Sequence, residues 1–278
     1  MAELTTLWTG LVMGESARWH DGRFWCSDWA AGELLTATAD GGREVVARSS
    51  SLPFCFDWTG DGTMLVTSST GLERLEGGEL APHVDLSHLS SFGWNEPVVH
   101  PSGNVYVNSI NFDMMGADGM DFEKGSAAGL VAVVTPDGGS RVVATQVAFP
   151  NGMAVTADGS TLLVAESFAS RIGAWDVEPD GSLSNRRIWA ADVPADGVSL
   201  DAEGALWVAS QDGAWRVREG GEVTDRIHTD RPVFSCALGG EDGRTLFLVC
   251  NEWTGVEGVG EGRTGVVYTT RVAVPAAV

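Results

Sequence analysis

The feature that most constrains this chain is a turn motif that returns six times. Each copy is an Asp-Gly, Ser-Gly or Glu-Gly pair followed at once by a short β-rich run. The copies are Asp21-Gly22 before Arg23–Ser27, Asp61-Gly62 before Met64–Thr67, and Ser102-Gly103 before Val105–Val107. Asp158-Gly159 before Leu162–Ala165, Glu203-Gly204 before Leu206–Ala209, and Asp242-Gly243 before Leu246–Val249 complete the set. Successive glycines are 40, 41, 56, 45 and 39 residues apart. Asp-Gly tolerates positive φ and closes tight hairpins, so each copy marks a turn between antiparallel strands. The runs that follow are β-branched or aromatic, as half- or fully buried strands are. A second hairpin follows several copies, as in Glu33–Thr38 into Asp40-Gly41-Gly42 and Gly129–Val134 into Pro136–Gly139. Four strands in a unit of about 40–45 residues is the pattern of propeller blades. The repeats therefore predict an all-β, six-bladed β-propeller of four-stranded blades, a single domain over residues 1–278. A β-sandwich has similar turn spacing but does not repeat a whole four-strand unit. Closing the last blade calls for an N-terminal strand, around Leu4–Val12.

The long third interval holds Asn111–Phe122, mixed in polarity and without a strand pattern. It is expected to be an excursion loop, a candidate lid. The glycine- and acid-rich stretch Asn251–Arg263 is expected to be a second loop. Charge narrows the partners. With 38 acidic and 17 basic side chains the net charge is −21, which repels phosphate backbones and anionic lipid. A neutral small molecule or a cation suits such a surface better than nucleic acid or membrane. No run of 18 apolar residues and no basic-then-apolar leader stands at Met1–Leu4, and a cytoplasmic location is expected. Cys26, Cys55, Cys236 and Cys250 form no Cys-x-x-Cys pair and are expected to be buried, reduced thiols.

Several chemistries have no motif here. There is no Gly-x-Ser-x-Gly elbow, no His-Glu-x-x-His and no phosphate-binding loop with Lys. Gly260-x-Gly262-x-x-Gly265 has dinucleotide spacing but precedes the strand-like run Val266–Thr269, so a phosphate would find no helix N-terminus. The five histidines offer only His83 and His88 as a weak pair, no basis for a histidine-ligated zinc site. What remains is a set of oxygen-bearing side chains. Glu15, Asn95, Asn151 and Asp196 lie six or seven residues before the turns at Asp21, Ser102, Asp158 and Glu203. Each thus occupies the same place in its blade, at the start of the strand that enters the propeller axis. Equivalent positions on radial blades converge, and two carboxylates with two amides make a hard oxygen site for Ca²⁺, Mg²⁺ or Mn²⁺. The other two blades offer Phe54 and Phe234 near that position as apolar walls. Taken singly, Asn-Gly and Asp-Gly are common turn pairs; the shared register is what sets these apart.

These residues carry a family resemblance. Gly14–Trp19, Phe149–Val155 and Ala195–Ala209 resemble the SMP-30/gluconolactonase/luciferin-regenerating-enzyme (regucalcin-like) family, and the likeness runs from about Gly10 to Tyr268. The resemblance implies a six-bladed propeller with one divalent metal in the channel and, in many members, lactonase activity. It implies Glu15, Asn151 and Asp196 as metal ligands and Asp196 also as general base. Asn95 would contact substrate or complete the metal shell. Calcium is the first expectation for the ion, with magnesium, manganese or zinc as alternatives.

One departure bears on the substrate. Sugar-lactonase members often carry an arginine two residues before the counterpart of Asn95; this chain has Gly93 there. Around the expected pocket stand Phe54, Trp94, Phe112, Met114, Phe149 and Phe234 instead, a lining poor in donors that suits apolar bodies better than polyols. The expected activity is divalent-metal-dependent hydrolysis of small cyclic esters, with less polar lactones favoured. A phosphotriesterase-like hydrolase on the same scaffold and a non-catalytic calcium- or ligand-binding propeller are the alternatives.

Overall fold

The computed structural model of the chain describes residues 3–38, 40–114, 121, 123, 127–253, 255, 258 and 260–277. Its strands run in chain order as β1 (Thr5–Leu11); β2 (Gly14–His20), β3 (Arg23–Asp28), β4 (Glu33–Ala37) and β5 (Arg43–Arg48). Next come β6 (Phe56–Trp58), β7 (Met64–Thr67), β8 (Gly71–Glu76) and β9 (Glu79–Asp85), then β10 (Pro97–Val99), β11 (Val105–Ser109), β12 (Gly129–Val134) and β13 (Ser140–Val147). The chain continues through β14 (Pro150–Val155), β15 (Thr161–Glu166), β16 (Arg171–Val177) and β17 (Leu183–Ala191) into β18 (Val198–Leu200), β19 (Leu206–Ser210), β20 (Gly213–Val217) and β21 (Val223–His228). It ends with β22 (Val233–Gly239), β23 (Thr245–Cys250) and β24 (Gly265–Arg271). These make six four-stranded antiparallel sheets, each a meander, and the fold is the six-bladed β-propeller that the turn repeat predicts. The N-terminal strand behaves as expected: β1 pairs with β24 from Thr5↔Thr269 to Leu11↔Gly265 and supplies the outer strand of the last blade.

Contacts divide the chain into two compact units of three blades each. One comprises Met1–Ser50 with Pro194–Val278 and the other Ser51–Val193. The first holds the β2–β5, β18–β21 and β22-β23-β24-β1 blades; the second holds the β6–β9, β10–β13 and β14–β17 blades.

Within each unit the cores lie between successive blades, which explains the continuous apolar runs. Side chains alternate across a strand, and here both faces are covered. In β11, Val105 and Val107 pack with Leu65, Leu72 and Trp94 on one side. Tyr106 between them packs with Met153, Leu162 and Trp175 on the other. In β23, Leu246 and Leu248 meet Trp207 and Ala214, while Phe247 and Val249 meet Phe24, Cys26 and Ala17. Each such side chain removed from water stabilises the fold by about 1.5–3 kcal/mol. The outer strands β5, β9, β17 and β21 are more exposed and charged, and β9 carries Pro82, which suits an edge that must not recruit a further strand.

All four cysteines are buried and none forms a disulfide, as expected from their spacing. No helix among the described residues is long and apolar enough to cross a membrane. The expected lid, Asn111–Phe122, lies mostly outside the described residues, and so does part of the loop Asn251–Arg263.

Candidate active site

In the first unit, Glu15 sits one residue into β2 and is only 4% exposed. Its segment is clamped from both sides. The Asn251 side chain accepts the Gly14 N–H (3.0 Å) and donates to the Gly14 carbonyl (3.0 Å). The buried Asp28 carboxylate accepts the N–H groups of Val12 and Met13 (2.9 and 2.8 Å). Directly after Glu15 the pairing of β2 with β3 slips, and Ser16 takes a positive φ of 50°. A bulge re-aims the side chain beside it. The next link is Ser235 in β22, whose hydroxyl accepts the Ala17 N–H (2.9 Å). Ser235 also lies against Gly197, where an added Cβ would stand 2.7 Å from the Ser235 Cα and 2.8 Å from the Phe234 carbonyl oxygen. The Gly197 N–H donates to that carbonyl (3.0 Å). Glycine at 197 thus lets the chain carrying Asp196 run directly along β22. The Cys236 thiol registers the neighbourhood: burial, reinforced by the negative charge of Asp196 and opposed by Arg18, pushes it up to about 12. It is inert as a nucleophile at neutral pH. Phe234 is buried, and its ring lies 5.8 Å from that of Trp253, which is 40% exposed.

In the second unit, Asn151 lies one residue into β14, at the matching place: the pairing of β14 with β15 slips between Pro150 and Met153. Phe234 occupies the corresponding slip in β22, between Val233 and Ser235. The Asn151 amide nitrogen donates to Ser167 Oγ (3.4 Å), so its carbonyl oxygen is the end turned elsewhere. Just before it, Phe149 is held at a φ of +56°, a costly conformation for an aromatic residue. The Ser167 N–H donates to the Phe149 carbonyl (3.1 Å), and Phe168 stacks on its ring at 4.4 Å. Phe112 completes the cluster, 6.0 Å from Phe149 and 6.3 Å from Phe168. The buried Glu166 carboxylate accepts the Ala148 N–H (3.0 Å) and pairs with Arg171 and Arg186 (2.8 and 3.0 Å).

Asn95, 6% exposed, precedes β10 in the same unit. Its N–H donates to the Asn108 carbonyl (2.8 Å), its own carbonyl accepts the Thr67 hydroxyl (2.7 Å), and the Cys55 thiol donates to its Oδ1 (3.6 Å). Phe54 is fully buried next to Cys55. Trp94 is fully buried and packs with Leu65, Leu86 and Val107, and a separate aromatic cluster in this unit is Phe112, Phe149 and Phe168. Gly93 has a φ of +40°, and the backbone there is one that suits glycine rather than arginine.

Sequence reasoning missed the residues that brace the site: Asn108, Ser167, Phe168, Ser235 and Asn251. The signal available was a polar residue closing an otherwise apolar second strand, as in Val105-Tyr106-Val107-Asn108-Ser109 and Leu248-Val249-Cys250-Asn251. Of the three residues expected to hold a cation, Glu15 and Asp196 lie in the first unit and Asn151 in the second; carboxylate and amide oxygens are donors that suit a hard divalent cation and not a soft one. Among the described residues, no group of three or more His, Cys, Asp or Glu side chains gathers to hold a metal. A set with an amide in it falls outside that class.

Known proteins are similar to this chain in sequence or in fold. Pentonolactonase XacC of Haloferax volcanii is 26% identical over 266 residues, 91% of this chain and 87% of its own. A luciferin-regenerating enzyme superposes with a TM-score of 0.81 at 18% identity, over 99% of this chain and 97% of its own. A calcium-binding protein, regucalcin, from Agrobacterium tumefaciens superposes with a TM-score of 0.79 at 20% identity, over 99% and 95%. The family model described as the SMP-30/Gluconolactonase/LRE-like region matches residues 13–251, and the chain belongs to that family.

Proposed function

We propose that this protein is a lactonase that hydrolyses small cyclic esters with one divalent cation, calcium first, held by Glu15, Asn151 and Asp196. The observation that carries the reading is the matched slip in β2 and β14. Glu15, buried, and Asn151, whose amide nitrogen is engaged by Ser167, stand at the same place in their blades. The pentonolactonase relative supports the ester chemistry, and the calcium-binding regucalcin supports the ion. Bound there, such a cation polarises the ester carbonyl and stabilises the charge that develops on its oxygen. The rest falls to the chain. Asp196 takes the proton from the attacking water, a contribution of about 10²–10⁴-fold for a placed base. Asn95 hydrogen-bonds the substrate. Phe54, Phe112, Phe149 and Phe234 are proposed as the apolar wall that excludes competing water.

The same wall sets specificity. Gly93 leaves no guanidinium for sugar hydroxyls, and its positive φ commits the backbone to that choice. Alkyl-substituted lactones are therefore favoured over sugar lactones. The test is a lactone panel followed with a pH indicator, on protein stripped of metal and reloaded with calcium. Hydrolysis with a higher kcat/KM for the alkyl lactone is expected. A tenfold preference for the sugar lactone, about 1.4 kcal/mol in transition-state binding, overturns the specificity. No turnover of any lactone overturns the reaction, and calcium binding in that case makes the protein a binding propeller.

A further inference from the structure

We propose that Asn108, with Thr67 as its counterpart one blade earlier, is a positioning residue that fixes the site asparagines of the second unit by gripping their backbone. The inference rests on the reading of Asn151 as a metal ligand and Asn95 as a substrate contact.

Asn108 is 0% exposed, in a strand whose preceding residues Val105, Tyr106 and Val107 are all core. A buried amide is costly unless its polar groups are paired. Here every one is paired. The backbone N–H donates to the Glu96 carbonyl (3.1 Å), and the backbone carbonyl accepts the Asn95 N–H (2.8 Å). Oδ1 accepts the Glu96 N–H (3.3 Å). Nδ2 leaves the blade and donates to the Asn151 carbonyl in the next one (2.7 Å). One side chain thus ties the segment at Asn95 to the segment at Asn151. An aliphatic residue in its place would make neither side-chain bond.

The device occurs twice. Thr67 closes β7 as Asn108 nearly closes β11, and it is fully buried. Its hydroxyl accepts the Cys55 N–H (2.7 Å) and donates to the Asn95 carbonyl in the next blade (2.7 Å). In both cases a side-chain donor on the second strand of one blade holds the peptide of the site residue on the next. The two donors differ chemically, so the shared property is the grip on the carbonyl. Site geometry is sensitive to such grips, since a shift of about 1 Å costs on the order of 10²-fold in rate.

The experiment compares Asn108→Leu and Asn108→Asp with Asn104→Leu. Asn104 is buried near the opposite hairpin of the same blade, next to Gly181. Calcium affinity of the metal-free proteins is measured by calorimetry, beside Tm and lactone turnover. Both Asn108 variants are expected to bind calcium at least tenfold more weakly than wild type, whereas Asn104→Leu, with a similar loss of Tm, binds it normally. Thr67→Val keeps the shape and removes only the hydroxyl; it is expected to raise KM for the lactone at least tenfold, with Thr67→Ser restoring it. If the Asn108 variants do not fold, the Thr67 pair decides. Asn108 variants that bind calcium within twofold of wild type, or lose affinity only as Asn104→Leu does, overturn the inference. So does a Thr67→Val enzyme with unchanged KM and kcat. A wild type that binds calcium yet turns over no lactone refutes the lactonase reading, while the calorimetry still decides the role of Asn108. A wild type that binds no divalent cation refutes both.

Discussion

Gly197→Ala isolates the placement of Asp196 from its chemistry. The new Cβ would stand 2.7 Å from the Ser235 Cα, 2.8 Å from the Phe234 carbonyl oxygen and 2.9 Å from Ser235 Oγ. Two of these three neighbours are backbone, so no rotamer change relieves the contact. The start of β18 and the middle of β22 must move apart, against the bonds from Gly197 N–H to Phe234 (3.0 Å) and from Ala209 N–H to Gly197 (2.9 Å). Overpacking of this kind costs about 1–3 kcal/mol, which lowers Tm by roughly 2–12 °C for a chain of this size. The displacement falls on the residue next to Asp196, and a shift of about 1 Å at a reacting group lowers turnover on the order of 10²-fold. Gly204→Ala in the same blade is the control. Gly204 has a φ of +77° and nothing within 4 Å of an added Cβ, so the cost is backbone strain of about 1–2 kcal/mol at a distant turn. Thermal unfolding, calcium calorimetry and lactone turnover are measured on both. Equal losses of Tm are expected, with calcium affinity and kcat falling only in Gly197→Ala. If Gly197→Ala keeps wild-type turnover, or Gly204→Ala loses as much, the close approach of Gly197 to β22 does not place Asp196.

Asp196→Asn removes one of the two proposed anionic ligands and the proposed base. Calcium should bind more weakly, and kcat should stay down about 10²–10⁴-fold even at saturating calcium; recovery of wild-type kcat would assign the base elsewhere. Exhaustive chelation should abolish turnover, and calcium, manganese or magnesium should restore it, with calcium at 100 times its Kd adding about 2.7 kcal/mol of stability in thermal melts; full activity in protein shown metal-free by elemental analysis contradicts this. Glu166 predicts a pH effect. Burial pushes its carboxyl up, but the hydrogen bonds from Arg171 and the Ala148 N–H and the nearby Arg186 outweigh that and hold it below its ordinary 4.5. Its contribution is therefore complete above the unfolded value and lost as pH falls through the lower folded one. Glu166→Gln should lower stability at pH 7 by about 1.5–3 kcal/mol, toward the low end because Arg171 and Arg186 are 29% and 34% exposed. Acid melts of the variant should show a shallower slope below pH 4.5; parallel acid profiles would remove Glu166 from the account.

The number of blades and the strand order within them are legible in the chain because both are local. An Asp-Gly hairpin and the run after it are set within about ten residues, and six copies at near-constant spacing leave few alternatives. That Glu15 and Asn151 begin the first strands of their blades is legible for the same reason, since each is counted from its own turn. What sequence could not supply is everything that depends on a neighbouring blade. The position of Trp94 beside Asn95 does not reveal its neighbours, which packing between the β6–β9 and β10–β13 blades makes Leu65, Leu86 and Val107. Phe168 attracts no attention in the sequence, yet it stacks on Phe149 because the chain after β15 folds back over the start of β14. Asn108 belongs to no motif in the sequence; only the next blade gives its amide a carbonyl to hold. Periodicity along one strand reports which way a side chain faces. Which partner waits there is fixed by contacts distant in sequence, 43 residues away for Asn108 and 237 for Asn251, and only the tertiary structure brings those together.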